Sequence, residues 1–242
     1  ALPTNPVEVT VVPVSLQDSS GIWQKDSSTV AFSWDAVPGA DGYRIYWGTN
    51  PSGTTSTAPI NTLTYPTSGS LTVPSETTYY LRIRTHFSNG MERPEFTTVY
   101  TMRYDNTPPT NPNSASETHG VSDDVWQNGV SSPSFNVSGG SDGGSGIQYY
   151  YFWLNEGDTP GAPSGSPTGS SSYSPGAVGS DGSYCLWVQS QDMLGNLNSS
   201  AANVFTFRLD KTAPAAPDLG SLSVVPDPAS SGGTSSYDHD TP

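Results

Sequence analysis

The feature that most constrains this chain is a repeat whose period is close to one small domain. Asp105-Asn106-Thr107-Pro108-Pro109-Thr110 is answered by Asp210-Lys211-Thr212-Ala213-Pro214-Ala215. Pro3-Thr4-Asn5-Pro6 returns unchanged as Pro109-Thr110-Asn111-Pro112, and Trp23-Gln24-Lys25 has its counterpart in Trp126-Gln127-Asn128, 103 positions later. A spacing of about 100 residues is the size of one compact domain. The 242 residues are therefore expected to hold similar modules in tandem rather than one large domain. Arrays of this kind present or space things and seldom perform chemistry.

Composition decides what kind of module. Only 33% of the residues are hydrophobic and 12% charged, a balance that leans toward disorder. The 11% aromatic content opposes it, because core-forming rings recur in short alternating runs. Thr29-Val30-Ala31-Phe32-Ser33-Trp34 places Val30, Phe32 and Trp34 on one face, Tyr43-Arg44-Ile45-Tyr46-Trp47 does the same for Tyr43, Ile45 and Trp47, and Tyr79, Leu81 and Ile83 share a third strand face. Residues 7–16 read as a strand with Pro13 at an edge or bulge. No window of the first module shows a helical period, so the expected fold class is all-β.

Trp34-Asp35-Ala36-Val37-Pro38-Gly39-Ala40-Asp41-Gly42-Tyr43-Arg44-Ile45-Tyr46-Trp47 resembles the second-to-third strand region of a fibronectin type III domain, and Thr78-Tyr79-Tyr80-Leu81-Arg82-Ile83-Arg84-Thr85 resembles its sixth strand. That resemblance spans about residues 10–104 and implies a seven-stranded sandwich with Trp34 buried between the sheets. In the second half, Tyr184-Cys185-Leu186-Trp187-Val188, Asp192-Met193-Leu194-Gly195-Asn196 and Phe205-Thr206-Phe207-Arg208-Leu209-Asp210 resemble bacterial immunoglobulin-like domains of surface proteins. The expected organisation is a fibronectin III-like sandwich over 1–106, a bacterial immunoglobulin-like sandwich over 107–212, and a third, incomplete unit over 213–242. Proline-rich joints make the arrangement elongated. The third unit supplies a linker and a first strand, or a strand exchanged with another molecule.

Charge narrows the partners. The net charge is −14, and residues 109–242 carry two Lys/Arg against thirteen acids, while residues 1–108 carry six against nine. Nucleic acid is not an expected partner, since phosphate has to meet cations. No long apolar run points to membrane insertion. The single cysteine, Cys185, has no partner for an internal disulfide and reads as strand filler, with a reactive thiol the lesser alternative. The histidines His86, His119 and His239 are scattered and match no metal or nucleophile spacing, so no catalytic residues and no organic cofactor are expected.

Two candidate sites remain. Calcium takes six to eight oxygens, and Asp105 and Asp210 at the module ends, with Asp123 and Asp124 ahead of Trp126 and Asp192 in a turn, supply carboxylates. Convergence of Asp105, Asp123 and Asp124 at the joint would stiffen it; the alternative is that these aspartates cap turns. The second candidate is aromatic. With Ile147, Tyr149 and Tyr151 inward, Tyr150, Phe152 and Trp187 form an outward platform for a protein or a sugar, unless the long loop 155–182 folds over it. Arg44, Arg82 and Arg84 lie on the matching face of the first module beside Tyr46 and Tyr80, as a solvated face or as a surface for an acidic neighbour. The function expected is a non-enzymatic segment of a bacterial cell-surface stalk, adhesin or filament, with neighbouring modules, other copies of itself or surface glycans as partners. The alternatives are a carbohydrate-contacting accessory module of a secreted hydrolase, and a subunit whose residues 218–228 add a strand to a neighbour's sheet.

Overall fold

A computed structural model describes residues 4–54, 59–161, 163 and 166–218. Contacts divide the chain into a unit of Ala1–Asp210 and a unit of Lys211–Pro242. The described residues of the second unit, 211–218, are irregular and exposed. The expected first strand of a third module lies outside the described residues.

The first unit holds two sandwiches built to one plan. In the first, β1 (Thr10–Val12), β3 (Thr29–Ser33), β5 (Thr64–Tyr65) and β6 (Leu71–Thr72) make one sheet, with β6 pairing β3 beyond the β1-β3-β5 path. The other sheet runs β2-β8-β7-β4, from β2 (Trp23–Gln24), β8 (Thr97–Tyr104), β7 (Thr77–Phe87) and β4 (Ala40–Gly48). In the second sandwich, β13 (Ser172–Tyr173), β11 (Phe135–Ser138) and β9 (Ser114–Glu117) face the sheet β10-β15-β14-β12, formed by β10 (Trp126–Gln127), β15 (Ala202–Leu209), β14 (Gly182–Asp192) and β12 (Ile147–Glu156). Among the described residues the only helical element is a 3₁₀ turn at Val14–Leu16.

Alternation along β3, β4 and β7 builds the first core as the sequence predicts. Val30, Phe32, Trp34, Tyr43, Ile45, Tyr79, Leu81 and Ile83 are all buried. Trp34 meets Tyr43 edge-on at 5.4 Å between ring centroids, and Trp47 stacks on Tyr79 at 5.4 Å. Such aromatic pairs add about 0.5–1.5 kcal/mol beyond the area they bury. The second core has no tryptophan. It is centred on Phe135, Phe152, Leu186, Val188, Phe205 and Phe207, with Phe152 stacked on Tyr173 at 5.1 Å.

The repeated dipeptide Trp-Gln has a structural job. Trp23-Gln24 pairs in parallel with Arg103-Tyr104, and Trp126-Gln127 pairs in parallel with Arg208-Leu209. In each sandwich the glutamine side chain closes the next turn, Gln24 through Ser27 and Gln127 through Val130, and the arginine lies over the tryptophan ring. The glutamine carbonyl then accepts the N–H of the closing aspartate, Asp105 or Asp210. The punctuation seen in the sequence marks the place where each final strand is tied off.

Candidate functional site

The expected aromatic platform does not exist. Phe152 is 2% exposed and faces the core, and Tyr150 packs against the same core. The two rings lie 5.8 Å apart on the inner side of β12. The loop ahead of β12 is the reason: its extra residues make Ile147 the counterpart of Ala40 rather than Tyr43, each at a bulge, and an odd error in register turns every side chain to the opposite face. The residue equivalent to Tyr43 is therefore Tyr150. Each accepts and donates a backbone bridge to the segment that follows, Tyr43 with Ile60 and Tyr150 with Thr168. Trp187 does point away from the main core, as expected, but it is covered. With Trp153 and Cys185 it forms a second small cluster, over which Asp158 and Pro160 fold by hydrogen bonds to Cys185 and Trp153. Burial, with the carboxylate of Asp158 next, pushes the Cys185 thiol up. The thiol is packing rather than a nucleophile.

The arginine face is likewise occupied from within. Arg44 Nε and Arg84 Nη2 both reach Glu92 at 2.5 Å. Arg82 donates to the carbonyls of Gly53 and Phe96, and Arg82 and Arg84 lie over the Phe96 ring at 5.9 and 4.8 Å.

The aspartates divide in an unexpected way. Asp123 Oδ1 accepts the N–H of Thr206, and Asp124, held at a φ of 60°, pairs with Arg208 at 2.5 Å. Both belong to the edge of the second sandwich, while Asp210 is an exposed residue at that sandwich's far end. Asp105 sits at the joint, fully buried, and it meets Asp142 and the turn residue Asp192 rather than Asp123 and Asp124. One carboxylate oxygen from each of the three lies within 4.8 Å of the others.

Sequence reasoning missed Asp142, and it offered Asp192 as a turn carboxylate without placing it at the joint. The available signal was Asp142-Gly143-Gly144-Ser145-Gly146, a loop whose glycines exclude side chains. A Cβ on Gly144 would collide with the Asp105 carboxylate, so only glycine lets the loop close over it. Ser145 N then donates to Asp105 Oδ2 at 2.7 Å, and the N–H groups of Gly144 and Gly146 donate to Asp142 Oδ2 at 3.2 and 2.5 Å. Asp192 Oδ1 accepts from Leu194 and Asn196, and its Oδ2 accepts the Asn196 amide at 2.6 Å. Like charges at this separation repel by on the order of 3 kcal/mol per pair at an effective dielectric of about 20. Lys25 of the first sandwich reaches the same turn, donating to Asn196 Oδ1 at 3.2 Å.

The returning Pro-Thr-Asn-Pro completes the joint. Asn111 Oδ1 accepts Ser190 N at 2.8 Å while its amide donates to the carbonyl of Ser200, just as Asn5 accepts Thr85 N at 2.9 Å and donates to the carbonyl of Glu95. Asn198 donates to the Pro109 carbonyl, and Thr110 bridges to Ser141. On the other side, Asp105 N reaches Gln24 O and Asn106 N reaches Glu76.

Neither His86, paired with Asp41, nor His119, paired with Glu117, is hydrogen-bonded to a hydroxyl or thiol among the described residues. His239 lies outside them. No described helix is long and apolar enough to cross a membrane.

No protein-family model and no curated protein matches the chain. Among solved structures it is similar to the fibronectin(III)-like modules of Clostridium thermocellum CbhA, at 18% identity over 86% of this chain and 98% of that one, with a TM-score of 0.28. It is also similar to the FN1–FN3 domains of chicken CNTN1, at 13% identity over 76% of this chain and 64% of that one, with a TM-score of 0.31. Neither likeness bears on the bacterial immunoglobulin-like resemblance of the second half. The strand order and its repetition identify the architecture: a tandem of immunoglobulin- or fibronectin III-like β-sandwiches.

Proposed function

We propose that this chain is a non-enzymatic structural segment of an extracellular stalk, adhesin or filament, which works by spacing. Sandwiches of this type are in general non-catalytic modules. The observation that carries the reading is the joint. A spacer has to resist bending where modules meet, and hinges are built from segments with few bonds. Here residues 105–113 are hydrogen-bonded to both sandwiches, and the last carboxylate of the first is buried under a loop of the second. The carbohydrate-module alternative loses its support with the aromatic platform. The strand-addition alternative falls on 218–228, of which only Asp218 is described.

The test is small-angle scattering of the whole chain beside Asp105→Ala. A fixed joint gives one well-defined longest dimension, which broadens when the buried carboxylate is removed. Identical profiles for the two proteins, or a flexible profile for the unaltered chain, would count against the spacer reading.

A further inference from the structure

We propose that the carboxylates of Asp105, Asp142 and Asp192 bind one hard divalent cation, calcium by preference, at the joint between the sandwiches. Ligands on opposite sides of a calcium ion are separated by about twice its oxygen distance of roughly 2.4 Å. The three carboxylate oxygens all lie within 4.8 Å of one another, so they fit inside that span. All the side-chain donors are oxygen, which suits calcium or magnesium and excludes metals that prefer nitrogen or sulfur.

A second observation points the same way. Ser145 lies in the loop that links two of the carboxylates: its own N–H ends on Asp105, and those of its neighbours Gly144 and Gly146 end on Asp142. The residue is 8% exposed, and its hydroxyl is closed to solvent with no hydrogen-bond partner. A buried hydroxyl without a partner costs free energy. A cation among the carboxylates gives that oxygen an electrostatic role. Calcium's remaining positions fall to water and backbone carbonyls, while magnesium demands a stricter octahedron.

The turn that holds Asp192 recurs in the first sandwich without the carboxylate. Phe87 N bonds Met91 O as Asp192 N bonds Asn196 O, and Arg93 N bonds Thr85 O as Asn198 N bonds Ser190 O. Phe87 occupies the position of Asp192 and is buried. The site thus belongs to the sandwich that receives a preceding linker aspartate, not to the repeat as such. Because Asp105 comes from one sandwich and the other two aspartates from the next, binding couples them. That consequence rests on the spacer reading above.

The probe is calcium chloride titrated into the full chain after chelation, followed by calorimetry and by thermal melting, with magnesium in parallel. The expected result is one calcium per chain, weaker magnesium binding, and a melting temperature raised by calcium. Asp142→Asn keeps an oxygen for the loop N–H groups and should weaken binding by roughly tenfold or more, as removing even supporting groups does at metal sites. Ser145→Ala should weaken it by a smaller factor, and Asp123→Asn should leave it unchanged. Absence of calcium heat up to millimolar concentration, or equal binding by Asp142→Asn, would overturn the proposal. Scattering of the chelated chain separates the two ideas: a fixed joint without binding sinks the cation and leaves the spacer.

Discussion

The turn after β7 and the turn after β14 share a backbone and differ at their centre. In the first sandwich Phe87 fills the turn with hydrocarbon, while in the second Asp192 fills it with a carboxylate that faces Asp105 and Asp142. Gly90 and Gly195 both stand at a φ of +79°, so the chain reverses identically in each. One residue decides whether that end of a sandwich is closed by packing or by charge. A repeated fold can therefore carry a junction at one repeat only. The same contrast runs through the cores. The first relies on tryptophan, and the second on phenylalanine with a separate Trp153–Cys185–Trp187 cluster under a loop.

The largest effect that would break the comparison comes from the equivalent core rings Phe32 and Phe135, at 1% and 0% exposure. Truncating either to alanine should cost about 3–5 kcal/mol. Calorimetry should show each variant lowering the transition of its own sandwich; a single transition shifted equally by both would mean the two unfold as one unit.

Acid should then separate the sandwiches. Glu117 in the second is 7% exposed. Burial raises its pKa, but the opposing hydrogen bonds from Ser134, His119 and Val121 leave it below the ordinary value. A carboxylate depressed in the folded state contributes stability that is fully present above the unfolded pKa of about 4.3 and is lost as pH falls through the folded pKa. Urea midpoints measured between neutral pH and pH 3 should fall in the second sandwich and fall less steeply in Glu117→Gln. Equal slopes would remove Glu117 as the cause.

The two asparagines of Pro-Thr-Asn-Pro make the same bonds, so Asn5→Ala and Asn111→Ala should cost similar amounts, on the order of 1–3 kcal/mol, for the strand N–H each leaves unpaired. Denaturant midpoints would show it, and a clear excess for Asn111 would mean that the joint adds to the strand cap. The smallest effect belongs to the arginines over Trp23 and Trp126. Replacing Arg103 or Arg208 by glutamine should lose about 0.5–1 kcal/mol of cation–π attraction. Arg208 is expected to lose more in the same denaturation assay, because it also pairs with Asp124.

Much of the fold is legible in the sequence. Val30, Phe32 and Trp34, or Tyr79, Leu81 and Ile83, alternate with a period of two, and that period places them in a core before any contact is known. The repeated Trp-Gln and Asp-x-Thr-x-Pro positions mark where each module is tied off. What the sequence hides is register across insertions. Trp23 and Trp126 are 103 residues apart, while the structural partners Tyr43 and Tyr150 are 107 apart. The extra residues fall between Ser138 and Ile147, in the loop that carries Asp142 and Gly144 and just ahead of the bulge in β12. Setting Ile147 against Tyr43, 104 residues apart, turns Phe152 outward; the true offset of 107 differs by an odd number and places it in the core.

The sequence by itself determined that this chain is a tandem of β-sandwiches, because alternation and a domain-length repeat are local properties of the chain. Only the tertiary structure decided which aspartates share the joint. Asp105, Asp142 and Asp192 are far apart along the chain, and no local pattern links them. They meet because the closing strand of one sandwich delivers Asp105 beneath a glycine loop of the next, where β14 ends.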